Sequence, residues 1–246
     1  MIRLGLIGKD IEYSFSRDYF SKKFKSEKRP LTYENFDLDS ISEFKPLVEN
    51  HIDIIGFNVT IPYKEQIIPY LDKLDKKAKK IGAVNTITVS FNGKLKGYNT
   101  DCYGFKKSIK PLLKKHHKKA LILGTGGASK AIAYTLKKLK IEFDYVSRTK
   151  SDTVKFTYNS LTETHLKDYT ILINCTPLGT YPNISDCPDI PYNGITDQHL
   201  LYDLIYNPEQ TQFLKEGERR GAQTTNGYQM LVFQAEKAWK IWSSTF

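Results

Sequence analysis

Four short stretches of the chain gather residue types that can hold a small polar ligand. Ser14-Phe15-Ser16 offers two hydroxyls one residue apart, and paired hydroxyls suit a carboxylate. Gly56-Phe57-Asn58-Val59-Thr60-Ile61-Pro62-Tyr63-Lys64 carries an amide, a hydroxyl and an ammonium group. Gly82-Ala83-Val84-Asn85-Thr86 adds a second amide, and Gly97-Tyr98-Asn99-Thr100-Asp101 adds a carboxylate. A lysine together with Asn and Asp supplies donors and acceptors in fixed positions, which suits a polyhydroxylated ring.

A fifth stretch has the composition of a phosphate cradle. Gly124-Thr125-Gly126-Gly127-Ala128-Ser129 follows the apolar run Ala120-Leu121-Ile122-Leu123 and precedes a helical pattern from Gly127 to about Lys140. Glycines between strand and helix permit a tight turn and let the backbone approach a pyrophosphate, which then rests on the positive end of the helix. Ser129 stands where the usual pattern has its third glycine, so the motif rests on its strand–turn–helix context. The next strand ends in Val146-Ser147-Arg148-Thr149-Lys150. An acid at such a tip bonds the ribose 2′-hydroxyl of NAD, whereas Arg accommodates the 2′-phosphate of NADP. Arg148 can stack on adenine and pair with that phosphate, Thr149 can donate a hydrogen bond and Lys150 adds charge. Asp144 and Asp152 lie nearby but not at the tip. NADP(H) is the expected cofactor.

The polar stretches stand at the ends of predicted strands, where open α/β sheets bind ligands. Strands are expected at Ile2–Gly8, Tyr33–Asp37, Gly56–Val59, Ala83–Ser90 and Lys94–Tyr98, the last two joined in a hairpin by Phe91-Asn92-Gly93. Helices are expected over Ser16–Lys25, Ile41–His51, Lys64–Leu71, Asp72–Ile81 and Tyr103–Lys115. Leu71, Leu74, Ala78 and Ile81 share one helical face, with lysines covering the rest. A second unit opens at Ala120, whose apolar run is that of a strand buried on both faces. Strands at Phe143–Val146, Ile171–Asn174 and Leu200–Ile205 extend its sheet. A C-terminal helix from about Tyr228 to Trp242 places Met230, Leu231, Gln234, Ala238 and Ile241 close to one face.

At 246 residues the chain exceeds the roughly 100–200 of one domain. No stretch approaches the roughly 18 apolar residues of a membrane span, and Met1–Gly8 is too short and too quickly polar for a signal peptide. Cys102, Cys175 and Cys187 are odd in number and lack C-x-x-C spacing, which fits a reduced cytoplasm. No His/Cys cluster has metal-ligand spacing, and His116-His117 sit inside a lysine run, so no metal is expected. The net charge of +10, from 37 basic and 27 acidic residues, raises nucleic-acid binding as a reading. The lysines fall mostly on predicted helix surfaces, however, and no nucleic-acid motif with interleaved aromatics accompanies them. A positive field also favours an anionic substrate and a phosphorylated cofactor.

At these residues the chain resembles the shikimate dehydrogenase family. The family's N-V-T-x-P-x-K, G-A-V-N-T and G-x-N-T-D-x-x-G motifs are present, the last from Gly97 to Gly104. The glycine loop, Asp203-Leu204-Ile205-Tyr206-Asn207-Pro208, and Asn226-Gly227-Tyr228-Gln229-Met230-Leu231 leading to Gln234 follow in family order. The resemblance implies an α/β fold in two domains. A substrate-binding domain would span 1–101 with 227–246, and a Rossmann-type, doubly wound NADP-binding domain would span 102–226. The C-terminal helix would return to the first domain. The resemblance also implies a cytoplasmic, NADP-dependent oxidoreductase, monomer or homodimer, that reversibly reduces 3-dehydroshikimate to shikimate in aromatic amino acid biosynthesis.

The same resemblance implies roles residue by residue. Ser14 and Ser16 would hold the substrate carboxylate with help from Tyr206. Thr60, Asn85, Asp101 and Gln234 would hold ring hydroxyls, and Lys64 with Asp101 would be the catalytic pair. A cation on the oxygen that gains charge stabilises it and can supply its proton. Gly124, Gly126, Gly127 and Ala128 would cradle the pyrophosphate, and Ser147, Arg148 and Thr149 would face the 2′-phosphate. Asn174-Cys175-Thr176, Gly227 and Met230 would lie on the nicotinamide side. Where the family commonly has Pro and then a His-Asn pair after the second serine, this chain has Arg17, Phe20 and Ser21. Two neighbouring readings are a quinate/shikimate dehydrogenase with relaxed cofactor use and a non-catalytic NADP-binding regulator. The first would usually carry an acid where Arg148-Thr149 stand, and the presence of both Lys64 and Asp101 opposes the second.

Overall fold

Two sheets account for the apolar runs of the sequence. They are seen in a computed structural model that describes residues 2–12 and 14–244. The chain divides into two compact units, Met1–Tyr103 with Gln234–Phe246 and Gly104–Phe233. The divisions fall inside two helices, α4 (Asp101–Ile109) and α8 (Tyr228–Trp242), rather than in loops.

In the first unit β1 (Ile2–Gly8) pairs in parallel with β2 (Leu31–Asp37) and β3 (Ile54–Val59). The hairpin β5 (Thr86–Val89) and β6 (Leu95–Tyr98) continues the sheet, β5 running antiparallel to β3. The order is β2-β1-β3-β5-β6-β4, with β4 the two residues Lys73–Leu74. Helix α1 (Phe15–Ser26) joins β1 to β2, and α2 (Phe44–Asn50) precedes β3. Strand order thus reverses between β1 and β3, and their carboxyl ends are where ligands of such sheets bind. Helix α8 adds Ala235, Ala238, Trp239 and Trp242 to a core of Leu4, Leu6, Phe20, Phe24 and Tyr33. The Trp242 indole donates to the Ile87 carbonyl at 2.9 Å. A side chain at position 56 would collide with that indole, which gives Gly56 its reason.

Two expected helices are corrected. Lys64–Leu71 is a run of turns ending in a 3₁₀ turn at Ile68–Tyr70. An α-helix there would need the Lys64 carbonyl for Ile68, but it accepts from Val84 N at 2.7 Å instead. Pro69 has no N–H to offer Glu65. The segment Asp72–Ile81 begins as strand, with Asp72 N and Asp75 N donating to Leu95 O and Gly97 O. Helix α3 covers only Lys76–Ile81, capped by the Asp75 side chain and closed by Gly82 in the left-handed region. Leu71 and Leu74 therefore lie outside it. Helix α4 starts at Asp101 and stops at Ile109, because Pro111 turns the rest into a 3₁₀ turn.

The second unit has six parallel strands in the order β12-β11-β10-β7-β8-β9. They are β7 (Lys119–Leu123), β8 (Glu142–Ser147), β9 (Val154–Thr157), β10 (Ile171–Asn174), β11 (Leu200–Asp203) and β12 (Gln223–Thr225). Counted from β7 this is 6-5-4-1-2-3, the doubly wound dinucleotide-binding order, with its reversal between β7 and β10. Ala120, Ile122, Ile171, Ile173, Leu200 and Tyr202 pack on one face. Leu121, Leu123, Leu172 and Leu201 pack on the other. Helix α5 (Gly127–Lys138) covers the first face through Ile132 and Leu136. Each such apolar side chain contributes about 1.5–3 kcal/mol by leaving water. The short elements β9, β12, α6 (Glu163–Asp168) and α7 (Gln212–Glu218) complete the unit. Among the described residues no helix is long and apolar enough to cross a membrane.

Candidate active site

At the β1–β3 end of the first sheet the polar stretches converge. Lys64 Nζ donates to Asp101 Oδ2 at 2.8 Å, with side-chain exposures of 14% and 6%. Asn85 Nδ2 donates to Asp101 Oδ1 at 2.7 Å and to Thr100 Oγ1 at 3.0 Å, with Gln234 Oε1 at 3.3 Å. Both Asp101 oxygens are thereby engaged, while an ammonium has three donors and spends one on Asp101. The Asn85 amide cannot turn over, because its Oδ1 accepts from Thr100 N at 2.7 Å. Backbone bonds fix the frame: Val59 N to Asn85 O, Val84 N to Lys64 O and Asn85 N to Tyr98 O. Thr60 is half-buried, its N–H bonded to Ile7 O at 2.8 Å.

Ser14 caps α1, its hydroxyl accepting from Arg17 N at 3.3 Å, and Ser16 lies in the first turn; both are buried. The positive end of α1 adds to two hydroxyls suited to an anion. Phe20 and its neighbours explain one departure from the family pattern. Phe20 is fully buried, stacks on Tyr33 at 4.8 Å and meets Phe24 and Trp242, so the position serves the aromatic core. Nothing in the structure explains Arg17 or Ser21.

In the second unit the loops after β7 and β10 touch. Gly124 has φ +98°, and a Cβ there would come within 3.0 Å of Thr176 Cγ2, so only glycine fits both backbone and neighbour. Helix α5 starts at Gly127 with Gly126 as N-cap and no side-chain cap bond, and open space lies where a Gly126 Cβ would be. Ser129, in place of the third glycine, closes the turn by donating its hydroxyl to Gly126 O at 2.7 Å. Ala128 is half-buried. Bare backbone before an uncapped helix start fits a dinucleotide pyrophosphate.

Strand β8 ends at half-buried Ser147, and Arg148, Thr149 and Lys150 are exposed beyond it. Asp144 is committed elsewhere, accepting from Lys155 at 3.0 Å and from the Tyr169 hydroxyl at 2.5 Å, which leaves the tip to Arg148. Asn174 Oδ1 accepts from Thr176 N at 3.0 Å and Thr176 Oγ1 at 2.6 Å. Its Nδ2 donates to Asp203 Oδ1 at 3.0 Å. Asp203 also accepts from Ile205 N at 3.0 Å, which ends β11 two residues before the expected Ile205, and from Thr211 Oγ1 at 2.6 Å. Burial pushes its carboxyl up to about 6 against the pull of these three donors. Gly227 N bonds Ile205 O at 3.0 Å, Tyr206 is half-buried, and Met230 packs into the core with Ile122, Ile173 and Tyr202. His116 and His117 both bond the Gln198 carbonyl. Among the described residues no group of three metal-ligating side chains forms.

Asn58, Thr86 and Thr100 stand in the polar stretches with no role legible from their types, and the structure ties all three to Asn85. Tyr33 joins this network through Asn58, and Asp203 holds Asn174 in the second unit. Only burial and direction single them out, since neither differs in type from an ordinary strand residue.

A doubly wound unit with an uncapped glycine turn, in one chain with a lysine–carboxylate pair set among amides, defines a dinucleotide-dependent oxidoreductase. Residues 6–87 match the shikimate dehydrogenase substrate binding domain. The shikimate dehydrogenase (NADP(+)) of Methanococcus vannielii is 36% identical, over 98% of this chain and 91% of its own length. That of Clostridium botulinum (strain Hall) is 41% identical, over 98% and 96%. The crystal structure of shikimate 5-dehydrogenase from Thermus thermophilus in complex with NADP(H) and shikimate superimposes with a TM-score of 0.88 at 27% identity, over 99% of this chain and 94% of that one. The chain belongs to the shikimate dehydrogenase family.

Proposed function

We propose that this protein catalyses the NADP-dependent, reversible reduction of 3-dehydroshikimate to shikimate. The observation that carries the reading is the pair of half-buried Lys64 and buried Asp101 at 2.8 Å, keyed through Asn85 to Gln234. The first unit is the substrate domain and the second the cofactor domain. Ser14 and Ser16 at the start of α1 take the carboxylate, helped by Tyr206, and Thr60, Asn85, Asp101 and Gln234 take the ring hydroxyls. Gly124, Gly126, Gly127 and Ala128 cradle the pyrophosphate, and Ser147, Arg148 and Thr149 face the 2′-phosphate. Asn174, Thr176, Gly227 and Met230 stand on the nicotinamide side.

NADPH, when bound, supplies the hydride. As the ketone oxygen gains negative charge, Lys64 stabilises it with a charge-assisted hydrogen bond and delivers the proton that completes the hydroxyl. Asp101 keeps the ammonium in place and accepts from the neighbouring hydroxyl; in the reverse direction Lys64 takes the proton back. Three free cysteines suit a reducing cytoplasm. The test is turnover of purified protein with shikimate and NADP+, and separately with quinate and with NAD+. Turnover confined to shikimate and NADP+ is expected. Equal efficiency with quinate or NAD+ would move the protein to a relaxed-specificity role, and NADP+ binding without turnover would make it a regulator.

A further inference from the structure

Asn99 stands between β6 and α4, two residues before Asp101, and is buried. Both ends of its amide are engaged. Oδ1 accepts from Cys102 N at 3.2 Å, and Nδ2 donates to Ala83 O at 3.0 Å. Turning the amide over would set N–H against N–H and oxygen against oxygen, so its orientation is fixed. The first bond caps the start of α4 and closes a turn around Thr100 and Asp101. The second fastens that turn to the loop whose next two residues are Val84, bonded to Lys64 O, and Asn85. Asn85 answers from the loop, its Oδ1 accepting from Thr100 N at 2.7 Å. Each asparagine thus reaches main chain beside the other. A cap alone does not call for an amide, because Asp and Ser cap helices as well as Asn does. An ionised Asp has no donor for Ala83 O, and the single oxygen of Ser stands at one end only.

We propose that Asn99 is a positioning residue for the reaction, its amide setting the first turn of α4 so that Asp101 meets Lys64 and Asn85 at once. The inference rests on the function proposed above. Asp101 must bring Oδ2 to 2.8 Å from Lys64 Nζ and Oδ1 to 2.7 Å from Asn85 Nδ2. Lys64 and Asn85 already share one frame through Val84 N to Lys64 O and Val59 N to Asn85 O. Asp101 arrives separately, on a helix, and that helix has to be placed against the frame. Asn99 places it by holding Cys102 on the helix and Ala83 on the frame with one planar group. Without the Ala83 bond the turn can tilt on its remaining contacts, and carboxylate and ammonium part. With both ends of its amide on main chain, Asn99 acts on substrate only through Asp101.

The test is a double-mutant cycle on the full chain with Asn99→Ser, Asp101→Asn and the pair, following shikimate oxidation by saturating NADP+. Asn99→Ser keeps a capping oxygen and loses the donor to Ala83 O. It is expected to lower kcat about 100-fold, the size that a misplacement of roughly 1 Å brings. Its NADP+ affinity, measured by calorimetry, should match wild type. The double variant should be no slower than Asp101→Asn alone, because Asn99 acts through that carboxylate. A residue that merely stabilised the fold would show no such coupling in kcat. Asn99→Asp, of the same size, also keeps the cap and loses the donor, and it carries the same expectation where Asn99→Ser melts too low to assay. A kcat within about twofold of wild type in either variant, or multiplicative losses in the double variant, overturns the inference while an active wild type leaves the function standing. A wild type inactive on shikimate overturns both.

Discussion

Each unit buries a carboxylate beside its ligand-binding loops, and the two are held in opposite ways. Asp101 in the first unit faces a cation, with Lys64 on one oxygen and the Asn85 amide on the other. Asp203 in the second accepts only from neutral donors, those of Asn174, Ile205 and Thr211, and burial pushes it up to about 6. A buried charge beside a fixed counter-charge is an arrangement that can act on a substrate, because the ammonium it holds has donors to spare. A buried acceptor serving three neutral donors is a hub. It ends β11, orients Asn174 and, through Asn174, fixes Thr176 against the glycine turn. One carboxylate must be an anion; the other need only accept.

Substitutions can break this contrast. The largest effect is expected from Asp101→Asn, which removes the charge that holds Lys64; kcat should fall about 10³-fold, read in a shikimate oxidation assay. Next is Asp203→Leu, which strands three buried donors; denaturant unfolding should show a loss of about 3 kcal/mol. If Asp203→Leu were as stable as wild type, the hub reading would be wrong. Arg148→Ala should raise the NADP+ KM about 30-fold and leave that for shikimate alone, since only the 2′-phosphate contact is lost. The smallest effect is expected from Asp203→Asn, within about 1 kcal/mol of wild type at pH 7.

The Asp203→Asn comparison also has a pH signature. The native carboxyl lies near 6, above its unfolded value of 3.8, so the native state takes up a proton as pH falls through 6. Wild type should therefore gain stability relative to Asp203→Asn between pH 7 and pH 5, by about 1 kcal/mol. Unfolding curves at the two pH values measure this, and a gap that is constant or shrinks toward acid would contradict the shift.

The two units also differ in how much of them the sequence discloses. The parallel strands of the second unit are legible because burial on both faces makes each an unbroken apolar run, as in Ala120–Leu123 and Ile171–Ile173. Its edge elements β9 and β12 are short and half-buried, and leave no such trace. In the first unit Lys64–Leu71 has helical composition but loses the helix to a tertiary bond, Val84 N to Lys64 O, that no local pattern reveals. Lys64, Asp101, Asn85 and Gln234 were legible as types in ordered motifs, yet their convergence depends on strand order. Tyr33 and Asp203 stand in an expected strand and a quoted motif but receive no role there, because a hydroxyl or carboxylate at a strand position has no signature until its partners are known.

The most direct measurement of the central claim, that Lys64 on Asp101 is the acting group, is Lys64→Ala assayed for shikimate turnover with NADP+ binding followed by calorimetry. A fall in kcat of about 10³-fold with unchanged NADP+ affinity is the expected result. A kcat within about twofold of wild type, in a protein that still binds NADP+, would remove Lys64 from the mechanism.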